Sequence, residues 1–324
     1  MKESNRNSTP VYLGIDIGGT FIKLGLVRGR RILSQRQLPT APLAASPKKL
    51  IKGLKEIIRQ AVREAPDRVA GVGIGIPGLI RYPQGVVSSS VNLKGWKEVP
   101  LRQALSKHLR MPVQIDNDVN VMTLAEWLYG AGRGTKNLVC LTLGTGVGGG
   151  LVLDGQLFRS GGGPTGEIGH LPLSAEGPRC ACGGRGCLER YVGNRDVLRS
   201  VRRQLQTGAR SKLVKLVDGK LSRITPEIID QACALGDPFA RSVWSQAGQR
   251  IGLALVQVVN LLNPERIVIG GGIAKAGRWI FPPIRQTVRS RAIADLAKVP
   301  IVPAKLGNSA GLIGAAALIA QDES

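Results

Sequence analysis

Four side chains able to bind a transition metal lie within one short, glycine-rich stretch of this 324-residue chain. Between Glu167 and Glu189 the sequence reads EIGHLPLSAEGPRCACGGRGCLE, and its metal-binding side chains are His170, Cys180, Cys182 and Cys187. One imidazole and three thiolates form a standard tetrahedral ligand set for a structural zinc ion. The glycines among the cysteines permit the tight turns that point sulfur atoms inward. The spacing therefore predicts a zinc site that shapes the surrounding loop.

A second group of polar side chains lies where a predicted strand, PVQI, meets a predicted helix, VMTLAEWLYG. Its members are Asp116, Asn117, Asp118 and Asn120. An Asp or Asn at the start of a helix often caps it, but capping accounts for one such residue rather than four. A carboxylate at the end of a strand is well placed to accept a proton from a substrate hydroxyl group.

Two glycine-rich turns are candidate phosphate sites. GIGIPG and GTGVGG, at 73–78 and 144–149, fit the G-x-G-x-x-G pattern, but no predicted helix begins at either, which excludes a dinucleotide fold. No Walker-type P-loop occurs. The backbone N–H groups of such hairpin turns can surround a phosphate. Asp16, ahead of the turn Gly18–Gly19, would hold Mg²⁺ through water, and Thr20 and Lys23 follow the same turn.

The elements that carry these residues alternate between strands and helices, which indicates an α/β layered fold. The chain opens with a hairpin and a third strand, followed by a helix with Ser46 as its N-cap and Pro47 in its first turn. NLVCLTLGTGVGGGLVLDG, from 137 onward, repeats the strand, glycine turn and strand of the opening. We expect an internal duplication, with residues 1–121 and 309–324 in a smaller domain and 122–308 in a larger one.

The net charge of +23 and the isoelectric point near 10.6 raise the question of nucleic-acid binding. Basic residues are densest at 195–223, but aromatic residues make up only 4% of the chain, and no stacking rings are interleaved with them. We expect a solvated surface that attracts polyanions without specificity. No apolar run is long enough for a membrane span or a secretory signal, and reduced cysteines predict a cytoplasmic protein.

Taken together, these motifs resemble those of the ROK (repressor, ORF, kinase) family of sugar kinases. The resemblance rests on D-I-G-G-T-x-x-K at 16–23, N-D-x-N at 117–120, L-G-T-G-V-G-G-G at 143–150, E-I-G-H, C-x-C-G-x-x-G-C-x-E and V-I-G-G-G-I-A. It implies an actin-like ATPase (ribonuclease H-like) fold, in which two α/β domains flank a cleft where sugar and Mg-ATP meet. It also implies a homodimer.

The resemblance assigns roles position by position. Asp118 matches the general base that takes a proton from the sugar 6-hydroxyl as it attacks the γ-phosphate of ATP. The implied sugar ligands are Asn92, Asn117, Glu167, His170 and Glu189. The implied phosphate-binding residues are Gly18, Gly19, Thr20, Thr145 and Gly146, and Gly270 with Gly271 matches the nucleoside region. Zinc would then hold the sugar ligands in place without acting in catalysis.

Three alternatives follow from the same motifs. Glucose is the expected acceptor, but an N-acetylhexosamine (N-acetylmannosamine or N-acetylglucosamine) or fructose would use the same signature. Arg81 stands where the family often has an acidic residue, which bears on substrate choice. A sugar-responsive repressor is a different class. Because only about ten polar residues precede the first strand, too few for the helical DNA-binding module of such a repressor, we expect no specific nucleic-acid partner.

Overall fold

The protein is described from a computed structural model, which covers residues 9–90, 93, 95–159 and 165–322. The chain divides into two compact units. The first lies within Met1–Gly134, Gln156–Thr165 and Lys305–Ser324, and the second within Thr135–Gly155 and Gly166–Ala304. Asn92, one of the predicted sugar ligands, lies outside the described residues.

Strands and helices alternate through both units, so the α/β class is as predicted. The strands are β1 (Val11–Ile17), β2 (Phe21–Arg28), β3 (Arg31–Pro39), β4 (Val69–Ile76), β5 (Leu79–Arg81), β6 (Val86–Ser89), β7 (Lys97–Val99), β8 (Val113–Asn117), β9 (Leu138–Leu143), β10 (Val147–Leu153), β11 (Gln156–Leu157), β12 (Arg266–Gly270) and β13 (Ile301–Pro303). The helices are α1 (Pro47–Arg63), α2 (Leu101–Leu109), α3 (Asp118–Tyr129), α4 (Glu189–Val192), α5 (Asn194–Gln206), α6 (Leu213–Leu216), α7 (Pro226–Ala234), α8 (Pro238–Leu262), α9 (Phe281–Arg291) and α10 (Ala310–Asp322).

The main sheet of the first unit has the strand order β3-β2-β1-β4-β8. Its first three strands are antiparallel, whereas β1, β4 and β8 run parallel, so the carboxyl ends of these three strands share one edge. The register places Asp16 opposite Gly75, and Gly75 opposite Asp116. The two aspartates are thus two strands apart, or about 10 Å. Asp16 and the β8–α3 junction therefore lie at the same edge of the sheet.

The second unit repeats this arrangement, with β10-β9-β12-β13 in the order and directions of β2-β1-β4-β8. Each unit has its own apolar core. Leu13, Ile15 and Ile17 of β1 are fully buried in the first, and Trp244 of α8 is fully buried in the second. The predicted repeat of the glycine-turn hairpin is present in both units, and in each unit parallel strands pair with its first strand.

Local sequence signals account for where the helices begin. The Ser46 side chain accepts a hydrogen bond from the N–H of Lys49, and Pro47 occupies the first turn of α1, as predicted. In α8 the carboxylate of Asp237 accepts from the N–H of Ala240 at 3.0 Å. Both caps satisfy backbone donors that a helix start leaves unpaired.

The last helix, α10, packs against β1, β4 and α3 within the first unit. Glycines permit this close approach, because a Cβ atom at Gly314 would lie 1.9 Å from the carbonyl oxygen of Val121 in α3. All of α3 therefore belongs to the first unit, whereas the predicted division at 121/122 runs through it. The chain returns to this unit at Lys305, a few residues before the predicted 308/309 division.

A small antiparallel sheet, β5-β6-β7, completes the first unit. Arg81, where the family often has an acidic residue, lies on β5 and pairs with the carboxylate of Glu98. Within the described ranges, no helix combines the length and apolar composition that crossing a bilayer requires.

Candidate active site and metal site

The β8–α3 junction presents Asp118 at the edge of the first unit's sheet. Asn117 is the N-cap of α3: its Oδ1 accepts from the N–H of Val119 at 2.8 Å and from that of Asn120 at 3.4 Å. Its Nδ2 donates to the carbonyl oxygen of Gly78 at 2.9 Å. One amide side chain thus fixes both the start of the helix and the neighbouring turn. Asp118 is half-buried, and its Oδ1 accepts from the Val119 N–H at 3.1 Å.

Two of the four polar residues at this junction serve the fold. Asp116 is 2% exposed, and its Oδ1 accepts from Asn120 Nδ2 at 3.0 Å and from the Asn117 N–H at 2.7 Å. Its Oδ2 accepts from Arg159 Nε at 2.7 Å. The Arg159 guanidinium also stacks over the ring of Tyr82, 3.9 Å from its centre. This network pairs a buried charge, so Asp116 and Asn120 are engaged in holding the junction together.

Arg159 was not singled out from the sequence. The available signal was indirect: an Asp that ends an apolar strand is often buried, and a buried carboxylate requires a compensating partner. Nothing in the local pattern identifies which of the chain's many arginines provides it.

The first glycine turn connects β1 to β2. Its end is closed by the Gly18 N–H, which donates to the Phe21 carbonyl oxygen at 2.9 Å, while Gly19 and Thr20 are exposed. Asp16 and Lys23 are cross-strand partners on either side of the turn. Burial raises the pKa of Asp16, and the nearby Lys23 ammonium opposes that rise. A carboxylate that is partly desolvated in this way is suited to a divalent cation, so the residues fit a Mg²⁺ site.

The second glycine turn, between β9 and β10, packs against the Glu189 carboxylate. The Glu189 Oε2 accepts from the Val147 N–H at 3.0 Å, and a Cβ atom at Gly146 would lie only 2.4 Å from this oxygen. The Asn194 N–H donates to the Gly144 carbonyl oxygen at 2.9 Å. Thr145, at the tip of the turn, is exposed. The sequence indicated Glu189 only as a sugar ligand, so this contact with the turn is new.

The end of β12 lies beside this second turn. Gly270 pairs with Thr142 in the sheet register, and Gly271 has a positive φ of 91°. A Cβ atom at Gly271 would lie 2.3 Å from the carbonyl oxygen of Leu143, so only glycine fits here. The structure thus brings the predicted nucleoside residues next to the predicted phosphate turn of the same unit.

The His170 ring joins the predicted sugar ligands to the cysteines. His170 ends a 3₁₀ turn, Ile168–His170, and its Nε2 lies 3.7 Å from Glu167 Oε2. Its Nδ1 lies 3.6 Å from Cys180 Sγ. Burial raises the pKa of Glu167; the nearby Glu189 carboxylate raises it further, while His170 lowers it. The Nδ1 atom of the imidazole can therefore bind a metal while the Nε2 atom points towards the Glu167 carboxylate.

The four predicted metal ligands converge, with their ligand atoms all within 4.8 Å of one another. Cys182 Sγ and Cys187 Sγ are 3.6 Å apart. In a tetrahedral zinc site with usual bond lengths, neighbouring sulfurs lie about 3.8 Å apart and a sulfur and a nitrogen about 3.6 Å apart. The spacing of the described atoms therefore fits a zinc ion.

The loop backbone holds the thiols in this arrangement. The Cys180 N–H donates to the Gly184 carbonyl oxygen at 2.8 Å, and Gly183 and Gly186 both have positive φ. Burial raises the pKa of the Cys187 thiol to about 12, whereas the N–H of Gly184 lowers the pKa of Cys182. A bound divalent cation reverses such a rise, because a coordinating thiol is deprotonated outright.

Comparison with known proteins agrees with these features. The ROK family profile matches residues 12–322. A glucokinase from Halalkalibacterium halodurans is 36% identical over 321 residues, covering 97% of this chain and 96% of that protein.

Solved structures give the same picture. A ROK family glucokinase from Streptomyces griseus, in complex with glucose and AMPPNP, is 31% identical with a TM-score of 0.83; the match covers 96% of this chain and 99% of that one. A ROK family transcriptional regulator, a homolog of the E. coli MLC protein, is 30% identical with a TM-score of 0.86 over 97% of this chain and 78% of the regulator. The predicted actin-like ATPase fold is confirmed by these likenesses.

Proposed function

Because the chain belongs to the ROK family, we propose that it is an ATP-dependent hexose kinase that phosphorylates the 6-hydroxyl of glucose. The observation that carries the proposal is the geometry of the β8–α3 junction. Asp116 and Asn120 are bound to each other, and Asn117 caps the helix. The half-buried Asp118 is the carboxylate that this arrangement presents at the sheet edge.

In the proposed reaction, the sugar O6 forms a bond to the γ-phosphorus as the bond to the ADP oxygen breaks. The hydroxyl proton passes to a carboxylate oxygen of Asp118. Phosphoryl transfer depends on positioning and charge stabilisation, with little covalent chemistry for the protein to supply. The backbone fixes Asp118 through the Asn117 cap, so the base is oriented before the substrate binds.

The glycine turns supply the proposed nucleotide contacts. Gly19 and Thr20 in the first turn and Thr145 in the second are exposed residues, and their backbone N–H groups would bind phosphate oxygens in this proposal. Asp16 would hold Mg²⁺ through water, with Lys23 beside it. When bound, the cation neutralises charge on the transferring phosphate. Gly270 and Gly271 form the proposed nucleoside contact.

The proposed sugar ligands are Asn92, Asn117, Glu167, His170 and Glu189. In this proposal the zinc ion is structural and is held by His170 Nδ1 and the three thiolates. Metal binding at Nδ1 fixes the ring so that Nε2 points towards Glu167. Orientation of a side chain through a metal is a common supporting role for zinc.

A substrate panel tests the acceptor assignment. Turnover should be measured with ATP and glucose, mannose, fructose, N-acetylglucosamine and N-acetylmannosamine, with kcat/KM as the readout. We expect glucose to give the highest value, because a site built to bond ring hydroxyls penalises a sugar that lacks one. A higher value for an N-acetylhexosamine or fructose would overturn glucose as the acceptor and leave the kinase chemistry standing.

The matched transcriptional regulator makes a regulator the alternative of another class. We favour the kinase, in a cytoplasmic homodimer without a specific nucleic-acid partner. A regulator of this family would bind a defined DNA sequence and release it when sugar is added. Sugar-dependent release of DNA, together with no turnover on any sugar of the panel, would favour the regulator.

A further inference from the structure

The Asp16 carboxylate packs directly on the first turn of α10. A Cβ atom at Gly311 would lie 2.4 Å from Asp16 Oδ2 and 2.5 Å from Asp16 Cγ. Real Cβ atoms do not approach other atoms this closely, so the carboxylate occupies the space that any side chain at this position would need. The backbone at Gly311 is therefore in direct contact with the Asp16 carboxylate and limits where that carboxylate can lie.

The position of α10 is fixed by backbone contact with the sheet. A Cβ atom at Gly14, two residues before Asp16 on the same face of β1, would lie 2.2 Å from the Leu312 carbonyl oxygen. One at Gly73 of β4 would lie 1.7 Å from the carbonyl oxygen of Ala315. The backbone of α10 thus packs directly against the glycines of two strands, and this packing places the first turn of the helix beside Asp16.

The segment leading into α10 is held by a buried carboxylate. Glu126, near the end of α3, is fully buried, and its Oε1 accepts from the Leu306 N–H at 2.7 Å. Its Oε2 accepts from the Lys305 N–H at 3.1 Å and from the Ala131 N–H at 2.7 Å. Hydrogen bonds from neutral donors to a buried charge are strong and directional. Glu126 therefore fixes the backbone at Leu306, five residues before Gly311.

We propose that Gly311 and Glu126 are positioning residues for Asp16. Gly311 leaves the space that the Asp16 carboxylate occupies, and Glu126 fixes the start of the helix to which Gly311 belongs. The inference rests on the proposed function, in which Asp16 serves Mg-ATP. A methyl group at 311 would displace the carboxylate by about 1 Å before ordinary contact is restored. Misplacement of that size can lower a rate by about 100-fold.

The experiment compares Gly311→Ala with the wild type by two readouts. The first is the Mg²⁺ concentration that gives half-maximal turnover at saturating ATP and glucose. The second is binding of Mn²⁺ to the protein in the presence of ATP, measured by equilibrium dialysis at equal free Mn²⁺ and ATP concentrations on both sides of the membrane, because ATP alone also chelates Mn²⁺. We expect both to weaken by about tenfold or more, with KM for glucose unchanged.

The matched control is Gly71→Ala, which disturbs the opposite end of the same helix. A Cβ atom there would lie 2.8 Å from Cγ1 of the buried Ile319 side chain, eight residues beyond Gly311, and 3.2 Å from the carbonyl oxygen of Pro112. It should lower Tm without changing either metal readout.

Glu126→Gln should shift both readouts in the direction of Gly311→Ala, because its amide N–H₂ group would face backbone donors. If Gly311→Ala does not fold, the same two readouts on Glu126→Gln test the proposal: unchanged metal binding in that variant would contradict it.

A double-mutant cycle separates positioning from general stability. If Gly311 acts through Asp16, Gly311→Ala should add little to the loss of Mn²⁺ binding caused by Asp16→Asn. Additive losses, or a Gly71→Ala effect equal to that of Gly311→Ala, would overturn the inference while leaving the kinase proposal intact. Mn²⁺ binding that responds as expected, with no turnover on any hexose, would instead refute the proposed function alone.

Discussion

Arg159 Nε donates to Asp116 Oδ2 at 2.7 Å, across 43 positions of the chain. Asp116 is almost fully buried, whereas the arginine is 22% exposed and stacks over Tyr82. The pair lies directly beside the junction that presents Asp118. A buried carboxylate at this point is stable only while its partner remains, because an isolated charge in the interior is costly.

Removing the arginine should therefore destabilise the first unit. We expect Arg159→Met to lower the free energy of unfolding by about 3 kcal/mol, at the lower end for a broken buried pair because the guanidinium is partly exposed. Urea unfolding measures the change. Arg36→Met, which breaks the exposed pair with Glu64, is the control and should leave stability close to the wild-type value, because water screens an exposed ion pair. Equal effects of the two substitutions would contradict the structural role of the Arg159 pair.

Asp118→Asn should abolish most of the turnover and leave the fold intact. The amide keeps the size of the side chain but cannot take the hydroxyl proton, so kcat should fall by about 10²–10⁴-fold. Sugar affinity and Tm should stay close to the wild-type values. Asp67→Asn, at the exposed pair with Arg28, is the control. A fall of less than about tenfold would assign the base to another residue.

Local signals in the sequence predicted the parts of the fold that depend on neighbours in the chain. The Ser46 cap and the two glycine-turn hairpins each follow from a pattern within a short stretch of the chain. The cysteine loop was predictable for the same reason, since its four ligands lie within 18 residues and its spacing is characteristic.

Contacts between distant segments could not be read in this way. The partner of Asp116 is 43 positions away, and the Leu306 N–H bound by Glu126 is 180 positions away. Glu126 in particular is buried by a segment that follows it by about 180 residues, so no local pattern indicates its role. Glu189 likewise appeared only as a sugar ligand, because its contact with Val147 depends on the packing of α4 on the second hairpin.

The cysteine loop should bind one zinc ion per chain. Cys182→Ser should lose the metal and, with it, glucose binding, because the His170 ring loses its anchor. Cys182 is the exposed member of the set, so this change disturbs packing least. Cys233→Ser, at a buried thiol outside the loop, is the control and should retain the metal. Metal analysis and glucose calorimetry are the measurements, and a purified, fully active, metal-free protein would refute the zinc site.

The basic surface of α5 should bind polyanions without sequence preference. Residues 195–223 contain nine basic and two acidic side chains, and all the basic ones except Arg202 are exposed. Arg195, Arg199 and Arg203 follow one face of α5 at intervals of about 6 Å. Asp196, which also pairs with Arg190, neutralises only Arg199 among these three.

Binding to such a surface would come from counterion release, so it should collapse as salt rises. We expect affinity for mixed-sequence DNA to be measurable at low salt and to be largely lost near physiological salt. Exchanging Arg195, Arg199 and Arg203 together for Gln should reduce the slope of log affinity against log salt by about 2–3, for three lost phosphate contacts. Turnover with glucose should be unchanged by the exchange. Tight, sequence-selective binding that survives physiological salt would show that the surface recognises DNA and would favour the regulator.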